Sequence, residues 1–241
     1  MSRSAKIMGV IFSAAAVVFT AAAVLTSASA AKYAAVVGAV AAAVMFFLDR
    51  RAKQTGIAVK NGFMMLVSLF AFFNILLCSI SPWVVHSEYK WQYPFQKAYI
   101  GLYNNIKEPE FFPDFMNDVR SGYEFDYLPS IMQGAGHYSV TFVTTPERAA
   151  EYAAEFGARA MFIIPLDDYL QSEGRYALEE PDYENARDGT LNVYVSEGMK
   201  NGHGSKTRIY VQSAVLNFNH PHSSAVIADT ETGLVQFTQL G

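Results

Sequence analysis

Asp49-Arg50-Arg51-Ala52-Lys53, with Lys60 soon after, is a basic knot between two stretches without charge, Tyr33–Leu48 and Asn61–Ser87. A third uncharged run, Ile7–Ala31, precedes them. An apolar run of about 18 or more residues is long enough to cross a bilayer as a helix. Short loops rich in Lys and Arg stay on the cytoplasmic side. The knot therefore reads as a cytoplasmic loop between two spans, and it orients the remainder of the chain. Arg3 and Lys6 agree with it by placing the N-terminus inside as well.

Working outward, the first two runs are predicted to be separate helices, about 7–27 and 31–48. One continuous helix over both would be roughly 60 Å long at 1.5 Å per residue, about twice the hydrocarbon thickness. A hairpin turning near Ser27-Ala28-Ser29 solves this, with Lys32 and Asp49 snorkelling at the ends of the shorter second span. Both helices are rich in alanine, and Ala34, Gly38 and Ala42 recur four apart on one face. Small residues at that spacing let helix backbones approach closely. The alternative for residues 1–30 is a cleavable signal peptide ending in Ala28-Ser29-Ala30; its apolar run is longer than such segments carry.

The third span, about 62–85, is rich in Phe and Leu. Asn74 is its one strongly polar side chain, expected to bond to a neighbouring helix. An aromatic belt comes after it, with Trp83, Tyr89, Trp91, Tyr93, Phe95 and Tyr99, the composition of a head-group layer. Residues 1–87 thus read as a transmembrane region and 88–107 as a membrane-proximal aromatic segment.

The charge divides with the architecture. Residues before His86 carry seven basic side chains and one acidic; those from His86 onward carry 11 basic and 21 acidic, so +6 faces −10 within a net −4. The basic part suits anionic lipid head groups. The acidic part argues against nucleic acid. The single cysteine, Cys78, lies in the third span, so residues 108–241 have neither a disulfide nor a cysteine metal site.

Residues 108–241 are predicted to be an extracytoplasmic α+β domain: one main helix packed on a mainly antiparallel sheet of about four to five strands. His137–Val143 reads as a strand. Thr145 is placed to cap a helix that begins at Pro146 and stops at Gly157, with Ala149, Tyr152, Ala153 and Phe156 on its buried face. Residues 160–165 form a short apolar strand, and 167–189 an acidic solvated loop. Further strands are expected at 191–196, 207–217, 225–228 and 234–238. Asn201-Gly202-His203-Gly204 is expected to join the first two as a hairpin. Gly233 ends the last turn in the left-handed conformation.

The best constellation for chemistry is Asn219, His220, His222 and Ser223. In an extended segment His220 and His222 point the same way, as two imidazoles sharing a divalent metal such as zinc would. A sheet-edge or turn role competes with this. No P-loop, dinucleotide, kinase or zinc-protease pattern is present. Two functions remain open. One is a multi-pass plasma-membrane protein whose outer domain binds a ligand or protein without catalysis or cofactor, as an accessory or sensor-like part of a membrane assembly. Its partners are the lipid bilayer and a membrane protein or second copy met through the Ala-rich helices. The other is a membrane-anchored, metal-dependent hydrolase using His220 and His222.

Overall fold

Long charge-free sequences with no water to satisfy their backbone fold as helices, because a helix closes its hydrogen bonds within one segment. In a computed structural model, residues 2–55, 61–80, 83–102, 112–113, 116–130, 135–172, 176–177, 190–216 and 221–241 are described. The chain divides into two units, 1–84 and 85–241.

The first unit is three helices: α1 (Ser2–Thr26), α2 (Ser29–Thr55) and α3 (Asn61–Ile80). Each contains an apolar stretch, of 22, 23 and 18 residues, long enough to cross a membrane. The α1–α2 turn falls at Ser27, whose φ is 59°. Thr26 Oγ1 fastens the turn by accepting from the Ala28 N–H at 3.2 Å. Ala34, Gly38 and Ala42 are all buried. A side chain at Gly38 would stand 3.1 Å from backbone atoms of Phe12 and Ala16, so Gly38 lets α2 approach α1 closely, while Ala34 clusters with Cys78 of α3 and Ala42 with both Phe12 of α1 and Ala71 of α3. Asn74 bonds across helices, accepting from the Tyr33 hydroxyl at 3.1 Å. Asp49 is buried and accepts from Lys53 one turn on, at 2.8 Å. Phe12, Met45, Ala71 and Cys78 complete the packing inside the unit. The outer faces keep Val17, Val18, Leu66, Phe70, Phe72 and Phe73 exposed, as a bilayer permits.

The second unit is built on a seven-stranded, wholly antiparallel sheet, larger than the four to five strands expected from the sequence. Its strands are β1 (Val85–Ser87), β2 (Ser121–Leu128), β3 (His137–Val143), β4 (Phe162–Pro165), β7 (Arg208–Val215), β8 (His222–Ala228) and β9 (Leu234–Leu240), in the order β1-β2-β3-β9-β8-β7-β4. A separate two-stranded pair, β5 (Tyr176–Ala177) with β6 (Thr190–Leu191), stands apart from it. The shortfall has a local cause: β1 is three residues long, and β2 alternates aromatic with acidic residues, a pattern easily passed over. The expected 191–196/207–217 hairpin is also replaced. Ser196 caps a short helix, α7 (Glu197–Gly202), through its hydroxyl and the Met199 N–H, and β7 pairs instead with β8 and β4.

Two helices cover one face of the sheet, where one was expected. They are α4 (Tyr93–Gly101) and α5 (Pro146–Gly157). Thr145 caps α5 as its sequence predicts, accepting from the Arg148 N–H at 3.1 Å. This face is aromatic: Tyr152 and Phe156 lie edge-on to Phe237 at 5.3 and 5.8 Å, and Tyr93 meets Phe125 edge-on at 6.3 Å. The aromatic segment 88–107 therefore contributes a core helix to this unit, with Tyr93, Gln96 and Ile100 buried, and residues 85–87, expected at the end of the transmembrane region, form its edge strand β1.

Candidate functional site

The opposite face of the sheet changes character along its width. Residues paired directly across antiparallel strands lie on the same face. One row runs Ile164, Ile209, Ile227, Gln236, Thr141, Glu124. The next runs Phe162, Val211, Ala225, Thr238, Ser139, Asp126, His86. Both rows are apolar on β4, β7 and β8 and polar on β9, β3, β2 and β1.

The apolar half is sealed by α6 (Leu166–Gln171), the 190–195 segment and Met199, which pack Leu166, Tyr169, Leu191, Val193 and Val195 onto Ile209 and Ile227. The polar half is bound instead by hydrogen bonds. Ser196 Oγ meets Thr141 Oγ1 at 2.8 Å, the Ser196 N–H donates to Gln236 Oε1 at 3.0 Å, and Gln236 Nε2 donates to the Tyr194 carbonyl at 2.9 Å. Two hydroxyls in the second row, Ser139 Oγ and Thr238 Oγ1, are buried without a hydrogen-bond partner among the described residues.

At the β1 edge, His86 Nδ1 lies 2.6 Å from Asp126 Oδ1. Glu124 is two residues along the same strand, and ligand atoms of all three side chains lie within 4.8 Å of one another. Among the described residues this is the one grouping of three or more potential metal ligands. The Glu124 carboxylate rests against Gly198 in the first turn of α7, where the backbone N–H acts on it as a donor. No Lys or Arg among the described residues pairs with Glu124 or Asp126. Burial raises the Glu124 pKa, and the neighbouring Asp126 charge adds to this. The hydrogen bond to Asp126 raises the His86 pKa.

His137 lies beside this cluster. Its ring stacks on Tyr194 at 3.6 Å and 7°, and burial pushes its pKa down to about 4, so it is neutral at pH 7. Tyr194 also lines a cavity of ≈ 520 Å³ with Tyr169, Asn192, Lys200 and Leu240. One aromatic side chain thus joins the polar cluster to a pocket of ligand size.

The residues singled out from the sequence are placed differently. Asn219 and His220 lie outside the described residues. His222 is exposed at the start of β8, opposite Val215, with its ring against Gly241. Ser223 is buried and donates to the Asn192 carbonyl at 2.5 Å. Of the acidic loop expected at 167–189, residues 167–171 instead belong to α6 with Tyr169 buried, 176–177 form β5, and 173–175 and 178–189 lie outside the described residues. Sequence reasoning passed over His86, Glu124 and Asp126, although Tyr123-Glu124-Phe125-Asp126-Tyr127 alternates strictly and puts both acids on one strand face.

Comparison with protein-family models, curated proteins and solved structures finds no match.

Proposed function

We propose that this chain is a multi-pass membrane protein with an outer, ligand- or protein-binding domain, acting as an accessory or sensor-like part of a membrane assembly. The observation that carries this reading is the polar half-face with its adjoining cavity, on a domain joined to three spanning helices. A face with paired carboxylates, a histidine and two buried hydroxyls without a partner among the described residues is costly to maintain for stability alone. In chain order, His86 comes six positions after the last residue of α3, so a site that holds it lies next to a span in sequence. The basic loop after Asp49 and the basic N-terminus support an orientation with the 85–241 unit outside the cytoplasm of a plasma membrane.

Two measurements test this. A cysteine introduced at exposed Ala158, in a Cys78→Ser background, should react with a membrane-impermeant thiol reagent in intact cells. Reaction only after permeabilisation reverses the topology. Purification in mild detergent should recover a stoichiometric membrane partner or a homo-oligomer, and a strict monomer with no partner removes the assembly reading.

A further inference from the structure

We infer that His86, Glu124 and Asp126 form a binding site for one divalent first-row transition-metal ion, zinc being the first to test. Three observations on the fold lead there. The three side chains share one sheet face at its β1 edge, and their ligand atoms already lie within 4.8 Å of one another. Ser139, directly opposite Asp126 on the same face, is fully buried, and its Oγ has no partner among the described residues. The two carboxylates have no Lys or Arg counter-charge among the described residues.

The donor set names the class of ion. One imidazole nitrogen and two carboxylate oxygens match zinc and its first-row neighbours, whereas magnesium and calcium take oxygen ligands. Zinc–nitrogen and zinc–oxygen bonds of about 2.0–2.2 Å at a tetrahedral angle separate ligand atoms by roughly 3.4 Å. The 2.6 Å His86–Asp126 contact therefore has to open as the ion enters. The His86 side chain can make that movement because it is 54% exposed. Glu124 is held from behind by the Gly198 backbone, the kind of outer support that orients a ligand. Three protein ligands leave a coordination position for water or for a ligand.

The inference stands apart from the assembly reading, because an ion can bind whether or not a partner does. The full chain, purified in detergent and stripped of metal, is titrated with zinc chloride at neutral pH by calorimetry, and bound metal is counted by elemental analysis. One zinc per chain is expected. His86→Ala and Glu124→Gln should each weaken binding by at least about tenfold while circular dichroism and Tm stay as in the parent. His222→Ala should leave binding unchanged, and excess magnesium should not compete. Absence of saturable binding, binding that survives both His86→Ala and Glu124→Gln, or binding lost with His222→Ala overturns the site.

Discussion

The two halves of one sheet face are made from the same two rows of paired residues and do opposite things. On β4, β7 and β8 the rows present Ile164, Ile209, Ile227, Phe162, Val211 and Ala225, and a lid of apolar segments closes over them. On β9, β3, β2 and β1 they present Gln236, Thr141, Glu124, Thr238, Ser139, Asp126 and His86. The dry half stabilises by removing surface from water. In the polar half Thr141 and Gln236 find partners, while Ser139 Oγ and Thr238 Oγ1 have none among the described residues. These two hydroxyls stand in the half-face for which we propose ligand binding.

Substitutions test this contrast. The largest effect belongs to the dry half. Ile209→Ala removes a fully buried side chain between Ile164 and Ile227 and should cost about 2–5 kcal/mol in denaturant unfolding.

Next comes Asp229, a buried carboxylate with a full set of donors, unlike the crowded Glu124–Asp126 pair. It accepts from the N–H groups of Gly204 at 2.6 Å and Glu231 at 2.8 Å and from the Thr232 hydroxyl at 2.8 Å. Burial pulls its pKa up, but these hydrogen bonds outweigh it and the net shift is downward. Asp229→Ala should cost about 2–4 kcal/mol. The pH dependence has a definite sign. A depressed carboxylate contributes fully above its ordinary value of 3.8, and that contribution is lost as the pH falls through the lower folded value. The acid limb of Tm against pH should therefore flatten in Asp229→Ala.

The smallest effect belongs to the polar half. Ser139→Ala deletes a buried hydroxyl that has no partner among the described residues, so the change should be within about 0.5 kcal/mol of neutral, or stabilising. A loss comparable to Ile209→Ala would show that Ser139 is bonded after all, and would erase the distinction between the halves.

Much of the fold was legible because its signals are local. The three spans come from charge-free length, and the hairpin at Ser27 from the impossibility of a span twice too long. The α5 start comes from Thr145 and Pro146. The last turn comes from Gly233, whose φ is 78° and where a Cβ would strike the Thr144 carbonyl oxygen at 2.4 Å. The small-residue stripe on α2 was legible too, since helical spacing alone puts Ala34, Gly38 and Ala42 on one side. Which helix it meets is a tertiary matter: Gly38 meets α1, Ala34 clusters with Cys78 of α3, and Ala42 with residues of both.

The site was not legible in the same way. An alternating strand states which of its residues share a face. It does not state which strand lies alongside, or in what register, because pairing joins residues distant in sequence. His86 and Asp126 are 40 positions apart and become neighbours only when β1 pairs with β2. His220 and His222 drew attention because they are close together in sequence. Period, charge and local backbone chemistry alone give three helices long and apolar enough to cross a membrane, the basic segments beside them, a capped helix and a strand-rich acidic region. The seven-strand order, the division of one face into dry and polar halves, and the meeting of His86 with Glu124 and Asp126 arise only when the chain folds. These rest on non-local hydrogen-bond register, which no run of neighbouring residues encodes.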